Sequence, residues 1–152
     1  MKPLTLLLLL PGLLLWQGAN ADPLPAQDAT PIVTVWFSPT CGCCKKWVSH
    51  LEENGFTVHS EARQDMAWLK HQLGIPENMA SCHTARVGDY LIEGHVPASD
   101  IRRLLKEKPQ ATGLAAPGMP AGSPGMETDV ATPPYQVLLF GGKHNRVFSV
   151  HH

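Results

Sequence analysis

The sequence carries little charge and no block of it. Charged residues make up 16% of the 152, with 12 Lys and Arg against 13 Asp and Glu and a formal net charge of -1. No basic stripe or Arg/Lys run appears, so the chain lacks the footprint of a nucleic-acid partner or of an anionic membrane surface. Long apolar runs are missing too. The leucine-rich stretch Leu4 to Trp16 is interrupted by Pro11-Gly12 and falls short of the roughly 20 residues that a membrane span needs. No internal repeat is present, which excludes a repeat architecture. Cysteine is scarce: there are four, and three of them crowd into Cys41-Gly42-Cys43-Cys44.

What is present at the start reads as an export signal. Met1-Lys2 is a minimal positive start, Leu4 to Trp16 an apolar core, and Ala19-Asn20-Ala21 a small-x-small cleavage site. The expectation is a signal peptide over 1–21, cleaved after Ala21, with no membrane span in the remaining chain. Roughly 130 residues are then left, enough for one domain with a real core.

Residues 22–31 hold three prolines and few apolar side chains and read as a flexible leader. Ile32 to Phe37 is almost continuously β-branched or aromatic, the pattern of a strand buried on both faces. Ser38-Pro39-Thr40 is a turn with Thr40 as the expected N-cap. Cys44, Trp47, Val48 and Leu51 then mark one face of a helix that Asn54-Gly55 stops. Phe56 to Ser60 is a second strand and Gln64 to Leu73 a second helix. Thr84 to Val87 and Tyr90 to Ile92 flank Gly88-Asp89 as a hairpin, and Pro97 opens a third helix through about Lys108. The stretch 109–134, rich in Gly and Pro, reads as a long loop. Tyr135 to Phe140 and Arg146 to Val150 form a closing hairpin around Gly141-Gly142. The order β-α-β-α-β-β-α, with a dithiol at the first strand-to-helix junction, predicts an α/β, thioredoxin-like domain over 32–152.

The cysteines carry the chemistry. A disulfide within one helical turn closes almost no loop and constrains the unfolded chain little, so structural stapling is a poor account of them. A helix N-terminus favours a thiolate at Cys41, and Lys45 and Lys46 add positive charge nearby. A thiolate is both nucleophile and metal ligand. Disulfide exchange needs two thiols, and Cys43 between Cys41 and Cys44 would compete as a resolving group. A soft cation such as Cu(I) gains from each added thiolate. One Cu(I) on four thiolates carries a net charge of about -3, costly to bury, whereas equal numbers of ions and thiolates cancel. In a thioredoxin-like frame Cys82, just before the later strand, lies beside the first helix and is the candidate fourth sulfur, against packing as a small buried apolar residue.

Ser38-Pro-Thr-Cys-Gly-Cys-Cys-Lys-Lys-Trp47, Ser81-Cys-His-Thr-Ala85, Tyr90-Leu-Ile-Glu-Gly-His-Val-Pro97 and the Gly113 to Glu127 stretch resemble the CopG family of periplasmic copper-resistance proteins. The resemblance runs over nearly all of the expected mature chain. It implies a thioredoxin-like fold, a periplasmic location and a Cu(I) site. That site is a multinuclear copper–thiolate cluster whose ligand positions match Cys41, Cys43, Cys44 and Cys82. It also implies work beside copper efflux or chaperone proteins, with interconversion of Cu(I) and Cu(II) as a further activity. The terminal His151-His152 has no counterpart in it.

Other donors are weighed individually. His83 is an auxiliary ligand candidate beside Cys82, against a turn-capping role. Met119 and Met126 offer thioethers on the long loop, against packing as gap-fillers. His50, His59, His71 and His95 read as surface or structural residues, and His144 with the His151-His152 end as solvated. Trp36, Trp47 and Trp68 lie on core-facing runs, Trp47 close enough to shield the thiols. Three readings follow: a periplasmic copper-binding protein, a thiol–disulfide oxidoreductase working through Cys41 and Cys44, and a four-cysteine zinc site. The last is disfavoured because three ligands within four residues make a tetrahedral site awkward. Iron–sulfur ligation normally uses wider spacings.

Overall fold

Alternation within Ile32–Phe37 starts the sheet. In the computed structural model, which describes residues 31–152, this segment is strand β1. The expected signal peptide and nearly all of the leader lie outside the described residues. Val33, Val35 and Phe37 are buried, while Ile32 is 56% exposed and Thr34 and Trp36 are half-buried. The strand is therefore covered on one face rather than on both. Trp36 uses the open side to donate from Nε1 to Glu61 at 2.8 Å.

The remaining elements follow the expected order. They are α1 (Gly42–Glu53), β2 (Thr57–Ala62), α2 (Met66–Gln72), β3 (His83–Val87), β4 (Tyr90–Gly94), α3 (Ala98–Glu107), β5 (Gly113–Ala116), β6 (Tyr135–Phe140) and β7 (Arg146–His151). One 3-10 turn, Glu77–Met79, precedes β3. A seven-stranded sheet runs β2-β1-β3-β4-β5-β6-β7. β1 pairs parallel with β2 and antiparallel with β3, and β3 pairs antiparallel with β4.

The loop expected over 109–134 contributes a strand of its own. β5 runs parallel to β4 and antiparallel to β6, so it joins the closing hairpin to the rest of the sheet. All four of its residues are buried. The slot between β4 and β6 suits small side chains: a Cβ at Gly113 would run into the Leu91 main chain.

Side-chain alternation then builds two cores. Ile92, Leu114, Val137 and Leu139 face α1 and α3, where Trp47, Leu51, Ile101 and Leu104 meet Val33 and Val35. Leu91, Ala115 and Phe140 face the other way, onto Ile75 and Met79. This second cover is short, which is why the outer side of β1 stays partly open. Helix α2 is shorter than its expected span and buries only Leu69. Trp68, expected to face the core, is instead 58% exposed, with the Arg63 guanidinium 6.0 Å from its ring centroid.

Candidate metal centre

The turn after β1 places the first sulfurs. The Cys41 amide donates to the Ser38 carbonyl at 2.9 Å, which turns the chain into α1. Cys41, not Thr40, is the N-cap: its Sγ accepts from the Cys44 amide at 3.3 Å. Thr40 faces Ser38 instead, their hydroxyls 3.2 Å apart. One helical turn separates Cys41 from Cys44, and the two are joined as a disulfide with their Cα atoms 5.4 Å apart. Cys43 and Cys82 are free thiols. Cys43 Sγ lies 3.5 Å from Cys41 Sγ and 3.9 Å from Cys82 Sγ. All four sulfurs fall within 4.8 Å of one another. Three come from one helix start and the fourth from the segment entering β3.

A buried charge network holds that fourth sulfur. The Ser81 amide, one residue before Cys82, donates to Glu93 Oε1 at 2.7 Å. Glu93 is fully buried and also takes Lys70 Nζ at 2.5 Å and the Thr84 hydroxyl at 2.7 Å. Burial raises the Glu93 pKa, and the Lys70 ammonium opposes that rise. On its other side Ser81 donates through Oγ to the Gly118 carbonyl, and the two residues form a parallel bridge.

The thiol at Cys82 is protonated in this setting. Burial, with the Cys43 sulfur beside it, pushes its pKa up to about 12. A cation must therefore displace a proton to gain that sulfur as thiolate.

Two histidines adjoin Cys82. His83 is buried, with Nδ1 3.3 Å from Cys82 Sγ, and its ring packs 4.4 Å from that of Trp47 between centroids. Its Nε2 has no hydrogen-bond partner among the described residues. His95 is buried as well, with Nε2 3.0 Å from Cys82 Sγ. Its Nδ1 lies 2.8 Å from the Pro124 carbonyl. A carbonyl only accepts, so Nδ1 carries the proton and the Nε2 lone pair faces the sulfur. Burial lowers the pKa of both rings, with His95 and Lys70 adding to the effect at His83. Both imidazoles are neutral at neutral pH.

His95, which the sequence reads as a surface or structural histidine, is buried and lies against Cys82. A signal for it was present. The β3–β4 register pairs Val87 with Tyr90 and Thr84 with Glu93, and two further residues along that ladder Cys82 faces His95. The expected hairpin around Gly88-Asp89 already contained this pairing.

The long loop returns over the site. Gly125 has φ +86°, and a Cβ there would stand 2.7 Å from the Cys43 carbonyl oxygen and 2.9 Å from the Trp47 nitrogen. The strap thus lies main chain to main chain on the first turn of α1. Trp47, fully buried beneath it, donates through Nε1 to the Val96 carbonyl at 2.9 Å. Met119 is 55% exposed and Met126 half-buried, and neither thioether is part of the arrangement just described. His50 has a structural place: its Nε2 accepts from the Ala98 amide at 3.1 Å, capping α3. His151 is not simply solvated, because its Nε2 sits 2.8 Å from the Asp100 carboxylate.

The arrangement offers soft sulfur donors with neutral imidazoles at one edge, chemistry suited to a thiophilic metal ion or to dithiol exchange. Among the described residues no helix is long and apolar enough to cross a membrane. Comparison with known proteins adds three findings. The family model described as "Protein of unknown function, DUF411" matches residues 79–126, which include Cys82, His83, His95 and Gly125. A solved structure titled "Copper resistance protein copG- Form 2" superposes with a TM-score of 0.76 at 41% identity, covering 81% of this chain and 99% of that one. A second, "Copper resistance protein copG- Form 1", gives a TM-score of 0.73 at 43% identity, covering 79% and 96% respectively. No curated protein matches the chain.

Proposed function

The chain belongs to the CopG copper-resistance family, and from that premise we propose that it binds Cu(I) through Cys41, Cys43, Cys44 and Cys82 in the service of copper resistance. The observation that carries this reading is the gathering of four sulfurs within 4.8 Å from two separate parts of the chain. Four thiolates around one monovalent ion leave a net charge of about -3 in a half-buried site, whereas several Cu(I) ions sharing the sulfurs cancel it. The cargo is therefore a multinuclear copper–thiolate cluster. Export to the periplasm, with delivery to or from efflux or chaperone proteins, completes the proposal.

The Cys41–Cys44 disulfide belongs to the same reading as its unloaded, oxidised state. Two of the four donors are withdrawn in it, and two electrons and two protons restore them. Oxidation of that dithiol in turn releases two electrons, enough to convert two Cu(II) to two Cu(I). A second reading, a thiol–disulfide oxidoreductase using Cys41 and Cys44, is favoured by the same disulfide at a helix N-terminus.

Anaerobic Cu(I) titration of the reduced mature protein separates the two, run beside each Cys→Ser variant. Binding beyond one copper per chain, with capacity falling in C43S and C82S, is the expected result. Saturation at or below one copper, or capacity that survives loss of both Cys43 and Cys82, refutes the cluster. Rapid reduction of insulin disulfides by the metal-free protein would support the oxidoreductase.

A further inference from the structure

His83 is buried with its Nδ1 3.3 Å from the Cys82 sulfur, which makes that nitrogen a candidate ligand atom. His95 presents its Nε2 lone pair to the same sulfur, its ring fixed by the bond to the Pro124 carbonyl. A backbone acceptor on the far nitrogen is the usual way a ligating imidazole is held in orientation. The three donor atoms of Cys82, His83 and His95 lie within 4.8 Å of one another.

We propose that Cys82, His83 and His95 form a second metal position, one thiolate with two imidazoles, that takes a borderline divalent ion, Cu(II) before Zn(II). It shares the Cys82 sulfur with the proposed Cu(I) site and otherwise stands apart from it. The donor set decides the ion. Thiolate alone selects Cu(I), whereas imidazole nitrogen suits Cu(II) and Zn(II), and among divalent ions Cu(II) binds a given site most tightly. Two histidines with one cysteine is the trigonal set that holds copper in electron-transfer sites.

The spacing agrees. Metal–nitrogen bonds of about 2.0–2.1 Å and metal–sulfur bonds of about 2.3 Å set nitrogen and sulfur about 3.6–3.8 Å apart around a tetrahedral or trigonal ion. The present contacts of 3.3 and 3.0 Å need to open by only a fraction of an ångström up to somewhat under one. The imidazoles are buried beneath the strap and Trp47, so an ion reaches them past the half-exposed sulfur of Cys82.

The test uses the mature protein with its Cys41–Cys44 disulfide intact, so that two thiols of the Cu(I) site are already withdrawn. Titration with Co(II) is expected to give one ion per chain, with thiolate charge-transfer and tetrahedral visible bands, and one equivalent of Zn(II) should displace it. C82S should abolish the charge-transfer band. H83Q and H95Q should each weaken binding about tenfold or more, since loss of even a ligand's outer partner costs 10–100-fold. Titration with Cu(II) should give an intense visible sulfur-to-copper band with the same dependence. Absence of Co(II) binding, a band that survives C82S, or affinity indifferent to both histidines overturns the proposal.

Long-range proton–nitrogen NMR of the unmutated protein guards against a variant that misfolds. Zn(II) should shift one ring nitrogen of each of His83 and His95, and unmoved resonances at one equivalent refute the site. Cu(I) capacity of the reduced protein is measured separately. If it fails in the unmutated protein the four-cysteine reading is wrong, whereas if it holds while Co(II) does not bind, only this inference falls.

Discussion

Replacing Glu93 by alanine should unfold the protein early and loosen the segment that holds Cys82. The carboxylate is fully buried and accepts from Lys70 Nζ at 2.5 Å, the Ser81 amide at 2.7 Å and the Thr84 hydroxyl at 2.7 Å. Removing one partner of a buried pair costs about 3–5 kcal/mol, because the other charge is left without compensation. The Lys70 side chain is 12% exposed and can turn toward water, which moves the expectation to about 3 kcal/mol. For a domain of this size each kcal/mol lowers the melting temperature by about 3–5 °C, so a drop of about 10–15 °C is expected. That leaves a folded protein, given a typical stability of about 5–15 kcal/mol.

Thermal and urea unfolding of E93A, K70M and the double variant measure the term directly. K70M leaves a carboxyl whose pKa burial already raises, so it protonates rather than remaining charged, and the expected cost is smaller, about 2 kcal/mol. The double variant should be more stable than the sum of the singles by about 1 kcal/mol or more. A melting temperature for E93A within 3 °C or so of the unmutated protein, or strict additivity in the cycle, refutes this account. Hydrogen exchange at the Ser81 and Cys82 amides gives the local readout, with faster exchange expected in E93A.

Three further outcomes are expected. Gly125→Ala places a methyl 2.7 Å from the Cys43 carbonyl oxygen at a backbone φ of +86°, and should cost about 2 kcal/mol and speed exchange over the 122–127 strap. For the metal-free protein, stability should fall as pH drops from 7.5 to 5.5. The pKa values of His83, His95 and His50 are lowered by burial, so the unfolded chain takes up protons below about 6.5 that the folded chain refuses. Each buried ring contributes at most about 1.4 kcal/mol per pH unit, and half-exposed His50 less. H83Q should flatten the slope in urea titrations at the two pH values, and a slope independent of both buried histidines contradicts the assignment. Finally, the Cys82 thiol at about 12 holds its proton at pH 7.5, so Cu(I) loading should release that residue's thiol proton. Calorimetry in two buffers of different ionisation enthalpy reads this release, which should shrink by about one proton in C82S.

Much of the first half of the site was legible in the residue order. The apolar run into Cys41, the helical spacing of Cys44, Trp47 and Leu51, and the hairpin centred on Gly88-Asp89 are local patterns, and they appear where expected. What escaped depends on tertiary company. Gly113-Leu-Ala-Ala has none of the β-branching that marks a strand, and it becomes one because β4 and β6 leave a narrow slot between them. Trp68 follows helical periodicity in a segment that turns out to be a seven-residue helix with one buried side chain. His95 sits before Val96-Pro97, a sequence that reads as loop. Its burial comes from the strap carrying Pro124 across it, a contact 29 residues away.

The β3–β4 hairpin explains why the anchor and the metal-ligand candidates belong to one unit. Thr84 opposite Glu93 is the first rung, and Cys82 against His95, just past the end of the ladder beyond Gly94, is the second. The first rung is closed by the Lys70 charge, and the second is left as a protonated sulfur against an imidazole lone pair. Satisfying the first rung internally makes it rigid, whereas the second can exchange its proton for a cation with little movement of either strand. A metal ion arriving at Cys82 therefore meets donors whose spacing is set by a ladder anchored one rung away. The disulfide at the start of α1 decides how many further sulfurs it finds there.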